Sequence, residues 1–316
     1  MKNPFELTIV SPVYNEEAVI ELFHARLSCV LDKMTDVESR IVYVADKCTD
    51  NTIEILRAIA SRDRRTTILL LSPRFGHQMS LIAGIEYSLN SDAIIMMDSD
   101  LQHPPEIIPE LVMHYKSGFD VVYTLRSENR DVHFFRKSVG NIFYRLINYL
   151  SDVPINSNSS DFRLISHRVA KVLSEGFSER NMFLRGLFSW IGFKQIGIEY
   201  VAQSRAAGKS KYSLYRLIHL GLSGILSFSK KPLQIGIVAG AILGIIAILL
   251  MIMTIINYFI DSSLPSGWTT LVTLLLFFSA VQLMVTGFIG IYIGGIYEEI
   301  KYRPRYIVDE VIKHFD

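Results

Sequence analysis

The sequence predicts an α/β domain on a parallel sheet, followed by an amphipathic helix at the membrane surface and two transmembrane helices. Three observations predict it. Over residues 1–212, β-rich apolar runs alternate with helical patterns. Residues 233–259 and 268–297 are two apolar runs without a single charge. Basic residues flank that pair, and the connection at 260–267 has none.

The strands come in order. "FELTIVSPVY" (5–14) is β-rich and is broken by Pro12; Asn15-Glu16-Glu17 then opens a helical pattern to about Lys33, with acids in its first turn. "SRIVYVAD" (39–46) is a second strand, and Thr49 or Asp50 can cap the helix that runs to about Arg62. "TTILLLS" (66–72) is a third, followed by a helix near 78–89. "DAIIMMDSD" (92–100) and "FDVVYTLR" (119–126) are the fourth and fifth. Strands separated by helices imply crossover connections and a parallel sheet. Such sheets bind ligands beyond the carboxyl ends of their strands.

Polar residues collect at those ends: Pro12, Tyr14, Asn15 and Glu16 after the first strand, Asp46 after the second, and Asp98, Asp100 and Gln102 after the fourth. Two carboxylates one residue apart at the tip of a buried strand repel each other. A hard divalent cation, Mg²⁺ or Mn²⁺, relieves that repulsion and leaves coordination positions for substrate phosphates. "SSDFRLIS" (159–166) sets Asp161 beside Arg163, either as a structural ion pair or as part of a site. Lys209 and Lys211 in "AAGKSKYS" (206–213) either meet anionic lipid or hold substrate phosphates. Arg126, Arg136 and Lys137 add to the basic supply.

Composition bounds the partners. The chain has 316 residues, half of them hydrophobic, a fifth charged, and a net charge of +1, so no global field favours nucleic acid. Two isolated cysteines, Cys29 and Cys48, form neither a disulfide framework nor a zinc site and fit a reducing compartment. "MKNPFELTIV" lacks the apolar core of a signal peptide. Both apolar runs exceed the roughly 20 residues that cross a bilayer. Lys230 and Lys231 before the first, and Lys301, Arg303 and Arg305 after the second, place the N-terminal domain and both termini in the cytoplasm. Leu214, Leu217, Ile218, Leu222, Ile225 and Leu226 suggest the amphipathic helix at the membrane surface. The expected layout is a catalytic domain at 1–212, a juxtamembrane segment at 213–232, a two-helix membrane domain at 233–297 and a cytoplasmic tail at 298–316.

Taken together, "VSPVYNEE", "VAD", "MDSDLQHPPE", "SDFRL", "RNMFLRGLFSWIG" and "GKSKYS" resemble the polyprenyl-phosphate glycosyltransferases of glycosyltransferase family 2. These include bactoprenol glucosyltransferases and, more distantly, dolichol-phosphate mannose synthases. The resemblance runs from about Leu7 to Tyr306 and implies the Rossmann-like GT-A fold. It implies that Pro12, Tyr14, Glu16, Val44 and Asp46 hold the donor nucleoside. Asp98, Ser99, Asp100 and Gln102 would hold the metal and diphosphate. Arg126, Arg136, Arg163 and Lys211 would bind phosphates, and Asp161 would lie near the acceptor. The implied reaction is inverting transfer of one sugar from a nucleotide sugar, a UDP-sugar, to undecaprenyl phosphate on the cytoplasmic face of the inner membrane. A separate flippase would move the product, and relatives imply a homo-oligomer.

Three positions depart from the resemblance. Asp46-Lys47-Cys48 replaces the usual Asp-Gly-Ser, His103 replaces an acid, and Ser160 replaces a glycine. Two other readings stay open on the sequence. A processive polysaccharide synthase would usually carry Gln-x-x-Arg-Trp, and no Arg-Trp pair occurs here. A membrane scaffold without catalysis would fit the altered loop at 46–48 but not the intact Asp98 and Asp100.

Overall fold

The computed structural model describes residues 4–127, 159–177, 179, 182–201 and 267–314, with scattered helical positions between 240 and 256. The chain runs through β1 (Phe5–Val13), α1 (Ile20–Leu31), β2 (Val37–Asp46), α2 (Thr52–Arg62), β3 (Thr66–Leu71), α3 (His77–Tyr87) and β4 (Ala93–Met96). It continues through a 3₁₀ turn (Pro105–Ile107), α4 (Ile108–Lys116), β5 (Val121–Ser127), β6 (Ser159–Ser166), α5 (His167–Gly176), α6 (Leu184–Ile191) and β7 (Gln195–Val201). The last described elements are α7 (Trp268–Ile300) and β8 (Val308–Lys313).

The sheet order is β7-β5-β6-β4-β1-β2-β3-β8. β1 pairs in parallel with β2 and β4, and β2 with β3, as the strand–helix alternation predicts. The sheet as a whole is mixed, not parallel. β6 is antiparallel to both β4 and β5, and β8 is antiparallel to β3. An apolar run encodes a strand but not its direction, so the sequence could not reveal these insertions. The antiparallel β6 matters most. It brings its first residues, Ser159 to Asp161, beside the carboxyl end of β4.

Two layers of side chains cover the sheet. Strand alternation sends Leu7 and Ile9 to one face and Val10 to the other. The first face packs on α1, α2 and α4 through Phe23, Leu27, Leu56, Ile59, Ile108 and Leu111. The second packs on α3, α5 and α6 through Ile82, Ile85, Val169, Leu173, Leu187 and Phe188. α3 lies so close to the sheet that a Cβ on Gly84 would fall 2.2 Å from Val10 Cγ1. Any side chain there would push α3, and what it carries, off the sheet.

Among the described residues, one helix, α7, is long and apolar enough to cross a membrane, over 277–300, and it is not buried. Its Leu271, Leu275, Leu283, Ile293 and Ile296 are exposed. Most of the first apolar run and all of the 213–232 segment lie outside the described residues. After α7 the chain returns to the domain rather than trailing away. Arg305 and Tyr306 both bond Glu86 at the end of α3, Arg305 also bonds the Phe177 carbonyl, and β8 pairs along β3.

Candidate active site

Loops at the carboxyl ends of β1, β2, β3 and β4, together with the start of β6, make one polar surface. The first two loops are bolted together. Asn15 sits at φ 55°, a left-handed geometry that asparagine tolerates. Its side chain donates to Thr49 Oγ1 at 2.9 Å and accepts from the Thr49 amide at 2.8 Å. The Glu16 amide donates to Thr52 Oγ1 at 2.9 Å. Helix α1 therefore starts at Ile20, later than the run of acids suggests, because those residues serve the loop.

Asp46 ends β2, is 3 % exposed, and uses both oxygens on backbone. It accepts from the amides of Phe75 (2.7 Å) and Gly76 (2.8 Å). It thus fixes the turn that leads into α3. Next to it, Lys47 adopts φ 41°. That is the backbone a glycine would hold without strain, so the departure from Asp-Gly-Ser carries a steric cost of about 1–2 kcal/mol. Tyr14 lies under the Arg74 guanidinium, 4.0 Å from its ring centre. Pro12 is buried and its carbonyl accepts from the Ser99 hydroxyl at 3.3 Å. Ser99 is therefore a tie between β1 and the turn after β4. Val44 is fully buried in the layer facing α3, so only its backbone can face a ligand.

Asp98 and Asp100 follow β4. The turn is closed by the Gln102 amide donating to Asp100 Oδ1 at 3.0 Å, with Leu101 in a left-handed step at φ 61°. Asp98 Oδ1 meets His77 Nε2 at 2.7 Å. Burial lowers the affinity of His77 for its proton, but the adjacent Asp98 carboxylate more than reverses this, and the pKa rises to about 9. Asp98 moves the opposite way: burial pushes its carboxyl up, and charged His77 pulls it further down, below the usual range. His77 opens α3 directly after the turn held by Asp46. It was not among the residues the sequence suggested. The position was findable by the same rule as the others, since it follows a strand's carboxyl end across a glycine turn.

β6 supplies the second acid. The β4–β6 register ends with Met96 facing Arg163; beyond it Asp98 and Asp161 lie close enough for the Asp161 charge to act on Asp98. Of the two readings left open for Asp161 and Arg163, the ion pair is not the one found: no salt bridge joins them. Instead Arg185 from α6 grips Asp161 through Nε–Oδ1 at 2.8 Å and Nη2–Oδ2 at 2.9 Å. Burial raises the Asp161 carboxyl, but Arg185 outweighs that and holds it well below the ordinary carboxylate value. Arg185 stands inside the "RNMFLRGLFSWIG" motif, yet nothing in the sequence says which acid it meets; the docking of α6 decides that.

Arg163 is 2 % exposed and stacks 4.4 Å from the Phe188 ring centre. It donates to the Ser160 carbonyl at 2.8 Å, while Nε has no partner among the described residues. Burial lowers its pKa to about 10. So placed, it supports the Asp161 strand. Ser160 fills its glycine-like position with a hydroxyl 2.6 Å from Thr124 Oγ1. Arg126 is exposed on β5, level with Tyr200 on β7. Arg136, Lys209 and Lys211 lie outside the described residues.

Among the described residues no group of three or more His, Cys, Asp or Glu side chains converges as a ready metal cage. Asp98 and Asp100 still fit Mg²⁺ or Mn²⁺. Such ions take oxygen ligands and are commonly held by one or two carboxylates plus substrate phosphates.

Comparison with known proteins gives the family. A family model described as "Glycosyl transferase family 2" matches residues 8–173. The uncharacterized glycosyltransferase YkcC of Bacillus subtilis (strain 168) is 40% identical, over 98% of this chain and 95% of its own. The SfII prophage-derived bactoprenol glucosyl transferase of Shigella flexneri is 35% identical, over 96% of this chain and 97% of its own. A crystal structure of glucosyl-3-phosphoglycerate synthase from Mycobacterium tuberculosis, in complex with Mg²⁺ and uridine-diphosphate, superposes with a TM-score of 0.48. It shares 19% identity and covers 70% of this chain and 77% of its own; the strand order, not this likeness, defines the sheet.

Proposed function

The chain belongs to glycosyltransferase family 2, and on that premise we propose that it moves one sugar from a UDP-sugar to undecaprenyl phosphate, with inversion, at the cytoplasmic face of the inner membrane. It is a glycosyltransferase with a Rossmann-like sheet of the GT-A type. The observation that carries the finer reading is the nearness of two acidic motifs, Asp98 after β4 and Asp161 at the start of β6, whose charges act on each other and on His77. The bactoprenol glucosyl transferases matched over nearly their whole length support the lipid acceptor.

In this reading Pro12, Tyr14 and Glu16 border the donor nucleoside, and Asp46 keeps the wall of that pocket in place through the turn at 75–76. Asp98, Asp100 and Gln102 would hold Mg²⁺ or Mn²⁺. When bound, that ion offsets charge on the departing nucleoside diphosphate. Arg126, with Arg136, Lys209 and Lys211, would gather phosphates. A phosphate oxygen of the lipid forms the new bond to the anomeric carbon. The bond from that carbon to the diphosphate breaks, and its electron pair leaves with the diphosphate.

The acceptor is already an anion near pH 7, so no strong base is needed. Asp161 is suited to orientation and electrostatics, since both its oxygens are engaged by Arg185 and its proton affinity is low. α7, the first apolar run and the 213–232 segment would hold the domain at the bilayer, where the lipid reaches the site. A homo-oligomer and a separate flippase belong to the same proposal.

The test is to incubate purified protein in lipid with undecaprenyl phosphate, Mg²⁺ or Mn²⁺ and a panel of labelled nucleotide sugars. One lipid-linked sugar per acceptor is expected with one donor, a UDP-sugar. Long polymer, transfer from a different nucleotide, or no lipid product with any donor would overturn the reading.

A further inference from the structure

His103 follows Gln102 in the turn after β4, and it is 5 % exposed. Its position in the fold explains why a ring is tolerated there. The ladder between β1 and β4 ends with the Met97 amide donating to the Val10 carbonyl at 3.1 Å. The next amide, that of Asp98, has left the ladder, and a half-buried amide is stabilised by an acceptor. His103 Nδ1 provides it at 3.1 Å. An accepting Nδ1 places the ring proton on Nε2.

The ring is itself fixed from both sides. It stacks on Phe162 with centroids 5.3 Å apart and planes 24° apart, and it meets Tyr200 edge-on at 6.1 Å. Phe162 lies between Asp161 and Arg163 on β6. One imidazole therefore joins the backbone of the first acidic motif to the strand that carries the second. The carboxylate of Asp98 is only 3.7 Å from the same nitrogen. An acid at this position would place a third negative charge beside Asp98; histidine accepts the amide without adding one.

We infer that His103 is a positioning residue for the metal–diphosphate half of the site: its Nδ1 sets the direction of Asp98 by holding the Asp98 amide, and its ring keys that turn to Phe162. The inference rests on the glycosyltransferase reading above for its consequence, but not for its geometry.

Two variants separate the acceptor from the ring. His103→Phe keeps the stack and loses the acceptor; His103→Asn keeps an acceptor oxygen and loses most of the stack. In donor-binding and kinetic assays His103→Phe is expected to raise the half-saturating Mn²⁺ and UDP-sugar concentrations about tenfold, as for one lost hydrogen bond to a positioned group. The KM for lipid phosphate should stay within twofold of wild type, and His103→Asn should recover most of the donor loss. Amide hydrogen exchange reads the geometry without any substrate: the Asp98 amide should be protected in wild type and His103→Asn and fast in His103→Phe. Equal exchange in all three proteins would overturn the inference. So would a His103→Phe enzyme whose kcat falls with its folded fraction while both KM values stay put. If wild type transfers no sugar with any donor, the proposed function fails, and the exchange pattern alone then decides the positioning role.

Discussion

Asp98, just past the end of β4, and Asp161, at the start of β6, each face one cation, yet the two pairs differ in kind. Asp98 meets a histidine, through one oxygen. Asp161 meets an arginine, through both. A guanidinium is permanently charged and its fork matches a carboxylate, so the β6 half is fixed. An imidazole can lose its charge, and one contact is easily exchanged, so the β4 half can give its carboxylate to another cation. The difference suits the roles proposed for them. One acid would hold an incoming metal, and the other would keep a surface in place while the acceptor binds.

The largest test of that contrast is on the exchangeable side. Asp98→Asn or Asp100→Asn is expected to lower sugar transfer by about a thousandfold or more, with the fold intact by circular dichroism. Activity within tenfold of wild type would remove the metal role from these carboxylates.

Next comes the fixed side. Arg185→Ala leaves the Asp161 charge without its fork and should destabilise the domain by about 1–3 kcal/mol, between the values for exposed and buried pairs. Arg185→Lys should recover only part of this, because an ammonium cannot make the two parallel bonds. Urea titration of both variants checks it. Full recovery by lysine would mean that charge alone matters there, and the contrast with His77 would weaken.

A smaller effect separates the halves by pH. His77 has its pKa raised from 6.5 to about 9, so its contribution to stability is complete below pH 6.5 and is lost as pH rises through about 9. Asp161 has a depressed pKa, so its contribution is present above the ordinary carboxylate value and is lost only in strong acid. Metal-free wild type should therefore lose melting temperature between about pH 6.5 and 9, and His77→Gln should flatten that slope, while the part of the acid limb that Arg185 gives Asp161 stays. An unchanged alkaline slope in His77→Gln would assign it to another group.

The smallest prediction concerns the strained loop that borders the exchangeable half. Lys47→Gly removes the left-handed strain at φ 41° but adds freedom to the unfolded chain, so a net gain of up to about 1 kcal/mol is expected in thermal melts. It should leave the β6 half and the pH profile untouched.

Much of this was legible along the chain. The four parallel strands, their helices and the clustering of Tyr14, Asp46, Asp98 and Asp100 at strand ends follow from local pattern, because alternation and breakers are written into neighbouring residues. The partners of those groups were not. His77 and Arg185 are ordinary residues in their own segments. Arg163 reads as an exposed cation in its motif, and only the packing of Phe188 shows that it is buried. Val44 and Ser99 fall within recognisable motifs but face the interior.

The sequence by itself determined that the protein is an α/β enzyme domain with paired acids at a strand tip and two apolar runs behind it. Only the tertiary structure decided that β6 runs antiparallel beside β4, and so which acid meets which cation. Strand formation depends on residues a few positions apart, whereas direction, register and ion pairing depend on how elements distant in the chain pack together.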